Sequence, residues 1–421
     1  MAKMNFNIDF SKIKVSDLLK VFQVFKGLKG LRVLSVLIWP GVILLASCGI
    51  LVAAWFMGSN LKQNVAKISV PMGNKIKSML KTSPVTGQVE VEKRYQGAFE
   101  RDVNLIKQLS VQSSERELLS YDIFPKPKDT STLLFTRFGT KFCQGIDGLL
   151  AKVNAHDCPS PEELSTVREA AGNSSSKFIG GTSKIIDEIC QAKAKSTSVY
   201  ASPQSACGYD FWQTYQYANM DESIKDCWYW QLGYWIIEDV FSTVGTMNVG
   251  SNSVFSSPVK RVVRVGFVTP DALVGATASE SAKGGPQDRP KYVAKQADQL
   301  TESFTARLSN DEIDVVHFSA ILVVSSKAVI PFMLELCSGK EHKFAGFTGQ
   351  EPERVFKHNQ ITILESRVRP VDMTSADNRD YRYGSDSVVQ IEIVCEYIFN
   401  KKGYDAIKPE QAKTPVAPTG G

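Results

Sequence analysis

Histidine is scarce in this chain, and the spacings through which side chains usually assemble catalysis are missing. Only His156, His317, His342 and His358 occur, and none sits in an HExxH run. There is no GxSxG elbow, no GxxxxGKS/T cradle and no GxGxxG after a predicted strand. No CxxC occurs either, so a zinc site has no ligand set. The pair Gly180-Gly181 is too little to wrap a phosphate, and His317 falls in a strand, where a packed or edge role is expected. Glu238 and Asp239 are adjacent on a predicted helix and so project about 100° apart. They read as solvated or helix-pairing charges, not as a carboxylate dyad. The expectation is a protein with no catalytic, cofactor-binding or metal-binding residues, and not an enzyme.

Excess charge is also absent from most of the chain. The formal charge is +5, from 49 basic and 44 acidic residues. Residues 1–32 supply all of it, with Lys3, Lys12, Lys14, Lys20, Lys26, Lys29 and Arg32 against Asp9 and Asp17. The remainder is neutral overall, which leaves no basic domain to condense on phosphates and excludes a nucleic-acid partner.

The conspicuous presence is an uncharged run over 33–57, VLSVLIWPGVILLASCGILVAAWFM. As a helix rising about 1.5 Å per residue it covers a hydrocarbon core of about 30 Å, so the lipid bilayer is an expected partner. Seven basic residues precede the run, against Lys62, Lys67 and Lys75 just after it. That bias places the N-terminus inside and the bulk outside. Leu45-Ala46-Ser47-Cys48 has the form of a lipoprotein cleavage box, but GILVAAWFM continues apolar after it, so Cys48 reads as an intramembrane cysteine. The other seven cysteines would face an outer compartment where disulfides are allowed. Cys143/Cys158 and Cys207/Cys227 are candidate pairs by proximity in sequence only.

Residues 1–32 form a basic segment in which Leu18, Leu19, Phe22, Phe25 and Leu28 make an amphipathic helix, suited to a membrane surface or a cytoplasmic partner. After the span, 58–120 reads as a helical stalk interrupted at Pro71 and at Ser83-Pro84. Its second part carries a narrow stripe of Tyr95, Phe99, Val103, Ile106 and Leu109, which suits coiled-coil pairing. Residues 121–220 form a helical insert: a helix over 132–153, a loop over 155–176, and a weaker helix over 178–195. Helix 221–247 carries Trp228, Leu232, Trp235, Ile236 and Val240 on one face, with Trp230, Tyr234, Ile237 and Phe241 on the other. Apolar residues all round predict a core helix covered on both sides. Period-two strands follow at 259–268, 315–324, 360–369 and 387–399, with a helix at 327–337 and a flexible excursion at 272–290. The order predicts an α+β, ferredoxin-like domain with a mainly antiparallel sheet over 221–400, then a disordered tail over 401–421.

Three passages resemble PilO-type inner-membrane proteins of type IV pilus assembly and type II secretion, in particular the enlarged relatives of planctomycetes and Verrucomicrobia. These are Ser120-Tyr-Asp-Ile-Phe-Pro-Lys-Pro127, the run Trp230–Val240 leading to Pro258–Val265, and the strand–helix–strand passage from Val315 to about Arg369. The resemblance implies a non-catalytic bitopic scaffold in the bacterial inner membrane, with the bulk periplasmic. It implies a homo- or heterodimer with a PilN- or PilO-type partner, and a PilM-like cytoplasmic partner at 1–32. The alternative is a membrane-anchored binding module that uses the aromatic helix as a ligand pocket.

Overall fold

The computed structural model of the chain describes residues 35–81, 86–173, 179–206, 208–270 and 288–413. The amphipathic segment at 15–31, the break at Ser83-Pro84, Cys207, most of the excursion at 272–290 and the end of the tail from 414 lie outside those residues. The chain divides into two compact units, Met1–Ala98 and Phe99–Gly421.

In the first unit, helix α1 spans Ser35–Lys81 without a break. The expected interruption at Pro71 does not occur. A proline removes one intrahelical hydrogen bond and can bend a long helix without ending it. Over Gly41–Met79 this helix is long and apolar enough to cross a membrane, and none of that stretch is buried. Helix α2, Thr86–Gln112, crosses the division between the units. Tyr95, Phe99, Ile106 and Leu109 are exposed along it and Val103 is half-buried.

The second unit is a mixed α+β fold. Its helices are α3 (Leu133–Lys152), α4 (Pro161–Asn173), α5 (Ile179–Ser196), α6 (Tyr209–Gln213), α7 (Met220–Met247) and α8 (Val329–Leu336). Its strands are β1 (Ala155–His156), β2 (Val199–Tyr200), β3 (Val259–Gly266), β4 (Ile313–Ser325), β5 (Lys340–Phe344), β6 (Arg354–His358), β7 (Ile361–Pro370) and β8 (Val388–Asn400). Six of them form one sheet in the order β1-β2-β3-β4-β8-β7, and β5 pairs with β6 in a separate hairpin. The expected antiparallel sheet is present as β3-β4-β8-β7. The sheet as a whole is mixed, because β1 and β2 add a parallel edge. Two-residue strands are too short to leave a period-two signal in the sequence. Hairpin β5–β6 left none because charged residues and histidines break any apolar alternation along it.

Alternation sorts β4 and β8 into two faces. Val316, Phe318, Leu322, Ile391, Ile393, Tyr397 and Phe399 face the main core, which α3 and α7 close from above. Trp228, Leu232, Trp235, Ile236 and Val240 are all buried there, as are Trp230, Ile237 and Phe241 on the far side of α7. The segments 121–220 and 221–400 therefore share one core. Helix α3 comes close because Gly139 and Gly145 leave room for rings: a Cβ there would meet Trp212 at 2.7 Å and Tyr234 at 2.6 Å. A smaller cluster of Tyr200, Val323, Tyr381 and Tyr383 covers the other face.

Two expectations are corrected and one holds. The loop expected over 155–176 is largely helix: α4 runs from Pro161 to Asn173 behind a capping box, in which Ser160 Oγ accepts from Glu163 N and Glu163 Oε2 accepts from Ser160 N. Residues 174–176 lie outside the described residues. The helix expected over 178–195 is present as α5, with Gly180 and Gly181 inside it. The tail is ordered as far as Lys413, since Tyr404 and Ile407 bury their side chains and Lys408 pairs with buried Asp314. The disulfide expectation also fails where it can be read. Cys143 and Cys158 are free thiols that pack in different clusters, and Cys227 is free.

Candidate functional site

The stalk reading extended to residue 120, but helix α2 ends at Gln112 and the chain then enters the core in an extended form. Ser114, Arg116, Leu118 and Ser120 are buried while the residues between them are not, the period-two burial of a strand without a ladder. With no ladder, the polar groups of this segment turn to other elements for partners. Ser114 Oγ accepts from Asn400 N at 2.8 Å, at the end of β8, and from Gln360 Nε2 at 3.1 Å. Glu117 O accepts from the Trp235 indole at 2.8 Å, and Leu119 N donates to Gln231 Oε1 at 2.8 Å, both on α7. This segment is the joint between α2 and the globular core.

Arg116 is its centre. The guanidinium, 2% exposed, grips Asp239 with two prongs, Nη2 to Oδ1 at 3.0 Å and Nη1 to Oδ2 at 3.1 Å. Its Nη2 also reaches Glu238 Oε2 at 2.6 Å, and its Nη1 donates to the Tyr397 hydroxyl at 2.7 Å. Tyr397 in turn donates to Asp239 Oδ2 at 2.6 Å. Glu238 and Asp239, read from the sequence as solvated or helix-pairing charges, instead converge on one guanidinium. Adjacent carboxylates 100° apart can do this when the cation is planar and wide.

The electrostatics follow from burial and charge. Burial pushes the Asp239 carboxyl up, but Arg116, His358 and Tyr397 outweigh it and hold that carboxyl well below the usual range. Burial disfavours charge on Arg116 too, yet Asp239, Tyr397 and Glu238 keep it firmly protonated. Tyr397 is pushed far up by burial and stays a neutral donor.

Hairpin β5–β6 completes the joint. His358 Nε2 lies 2.8 Å from Asp239 Oδ2, its Nδ1 lies 2.8 Å from His342 Nδ1, and His342 Nε2 lies 2.8 Å from Glu115 O. Elsewhere, His317 is buried on β4, where its Nδ1 accepts from Leu300 N, and burial lowers it to about 4. His156 is exposed on β1. No cluster of three or more His, Cys, Asp or Glu suited to a metal occurs among the described residues. The aromatic helix offers no ligand cage: Trp228, Trp230 and Trp235 are at most 1% exposed.

The sequence-derived residues thus separate into two places. Tyr95, Phe99, Val103, Ile106 and Leu109 run along α2, whereas the α7 set lies in the core, where Trp235 donates its indole N–H to the joint. Arg116, Asp239, His342, His358 and Tyr397 were not singled out as partners. They come from five separate elements, and the only local trace was a charged pair, Glu238-Asp239, inside an otherwise apolar helix.

No protein-family model matches this chain, and no curated protein does. Among solved structures, a protein from Akkermansia muciniphila determined without its transmembrane region matches with a TM-score of 0.23 and 10% identity. That match covers 61% of this chain and 96% of that one.

Proposed function

We propose that this chain is a non-catalytic, single-span scaffold of PilO type, held in a bacterial inner membrane with its N-terminus cytoplasmic and its bulk periplasmic. The observation that carries the reading is the wholly exposed apolar stretch of α1, which only a non-aqueous surrounding would cover. Two features add to it. The antiparallel order β7-β8-β4-β3, with α7 before β3 and α8 after β4, supports a ferredoxin-like reading of this part of the mixed sheet. The apolar stripe on α2 wants a second helix, supplied by a bitopic partner of PilN or PilO type in a homo- or heterodimer. Residues 1–32 would meet a PilM-like partner on the cytoplasmic side. In this reading the buried joint at Arg116 passes displacement of the stalk into the globular unit.

The test is affinity purification of the full chain from detergent-solubilised membranes, with mass spectrometry of what accompanies it. Recovery of a bitopic partner is expected, and its loss when Phe99, Ile106 and Leu109 are made serine. A chain recovered alone from membranes, or one with unchanged partners after those substitutions, would reject the scaffold.

A further inference from the structure

Three contacts lie in a line through the joint: Asp239 Oδ2 to His358 Nε2, His358 Nδ1 to His342 Nδ1, and His342 Nε2 to Glu115 O, each at 2.8 Å. A contact of that length between nitrogen or oxygen atoms requires one hydrogen between them. The two ends of the line, a carboxylate and a peptide carbonyl, are acceptors and bring none. All four ring nitrogens are engaged, so the hydrogens must come from the imidazoles. Two neutral imidazoles carry two, and three contacts need three. With only two, one contact sets lone pair against lone pair at a site where His358 is 4% exposed and water has little access.

We propose that the His342–His358 pair is a proton-binding site, holding one proton more than two neutral rings carry, and that this proton fastens the joint to hairpin β5–β6.

The surrounding charges suit it. Arg116 alone faces both Glu238 and Asp239, and the added proton brings two cations against two carboxylates. The other groups around the pair are accounted for. Lys340 on β5 turns its ammonium to the carbonyls of Glu335 and Leu336, though its charge is felt at Asp239 and Arg116. Tyr397 on β8 is a neutral donor to Asp239. Glu341 and Lys357 pair with each other on the hairpin's open side, and Glu117 is exposed. Phe356 presents its ring to His342 at 5.9 Å between centroids. Against the proton stand burial and the nearby Arg116, which together press His342 towards about 4. The two demands give opposite pH dependences, so the proton count can be measured.

If the extra proton is held, the pair's affinity for it is raised above the ordinary histidine value of about 6.5. The stabilisation is then fully present below about pH 6.5 and lost as pH rises through the pair's own value, about tenfold in the closing equilibrium per pH unit. If the rings are neutral, stability instead falls on acidification below about 6.5 and is flat above it. This inference rests on the geometry of the joint and stands whether or not the chain is a membrane scaffold.

The experiment is histidine C2-hydrogen exchange read by mass spectrometry on the full chain in detergent, from pH 4 to 9, alongside backbone exchange of residues 115–119. A histidine of the pair titrating above 6.5, with protection at 115–119 falling as it does so, is expected. The variant His342→Gln, whose amide can donate to both His358 and Glu115 O without an added proton, is expected to keep the protection and lose its pH dependence above 6.5. Midpoints at or below 6.5 for both histidines would overturn the proposal, as would a wild-type protection profile flat from pH 6 to 9. The wild-type exchange decides the matter even if the variant does not fold.

Discussion

Arg116 and Asp239 lie 123 positions apart and meet in a two-pronged ion pair that is almost wholly buried on both sides. Taking two charges out of water is costly, and Glu238, Tyr397 and His358 offset that cost with further hydrogen bonds to the pair. Breaking such a pair from one side leaves the other charge stranded. Arg116→Met and Asp239→Asn are each expected to destabilise the globular unit by about 3–5 kcal/mol. The double variant should lose less than the sum of the two, a coupling that a denaturant double-mutant cycle will read.

The buried pair Lys408–Asp314 behaves in the same way, two rungs along the β4–β8 ladder from Tyr397. Lys408 Nζ sits 2.6 Å from Asp314 Oδ2, both side chains are 0% exposed, and the Tyr404 hydroxyl joins the same carboxylate. Lys408→Met alone is expected to cost about 3–5 kcal/mol, and Lys408→Met with Asp314→Leu to recover much of that. Thermal unfolding of the two variants checks it.

Acid sensitivity should come from His317. Burial lowers it to about 4 in the folded chain, whereas unfolded it titrates near 6.5. Between those values the unfolded chain takes up the proton and the folded chain does not. Stability is therefore full above about 6.5 and is lost as pH falls towards 4. His317→Asn, which can still accept from Leu300 N, is expected to flatten that part of a stability-against-pH curve. The window lies below the one in which the His342–His358 proton acts, so the two are separable.

The capping box of α4 is an exposed, local device. Ser160→Ala is expected to cost about 0.5–2 kcal/mol and to raise amide exchange over the first turn of the helix, with the core unaffected. An equal rise throughout the unit would contradict a local role.

For the span, Leu45→Asp combined with Leu51→Asp places two charges in the exposed apolar stretch of α1. At about 2.5–3.5 kcal/mol each near the middle of a bilayer, they are expected to move the protein from the carbonate-resistant membrane pellet to the supernatant. Retention in the pellet would show that α1 is not what holds the chain there.

The sequence made some of this architecture readable and hid the rest, for identifiable reasons. Strands β3, β4 and β8 and helices α3 and α7 stood out because each buries a continuous face and so repeats apolar residues at a fixed period. Strand β7 stood out by alternating apolar with polar residues, although only Ile361 of it is buried. The capping box at Ser160 was equally readable, with Pro161 at the first helical position, but the Ser- and Asn-containing composition around it suggested a loop. Pro71 was overweighted as a helix breaker, and the ordered tail was missed because two aromatic and aliphatic side chains among lysines carry no period. The joint was out of reach. A single buried arginine among charged neighbours at 115–117 looks in sequence like any solvated turn, and its partners arrive from α7, β6 and β8.

The alternating burial of residues 114–120 has a mechanical meaning. A pull applied along this segment is shared among attachments to β8, α7 and β5. Those attachments act side by side and have to give way together, the arrangement that resists shear, unlike a hairpin that unzips one rung at a time. A tether entering a domain in this fashion transmits tension into the inner strand β8, beside the edge strand β7, before it begins to tear.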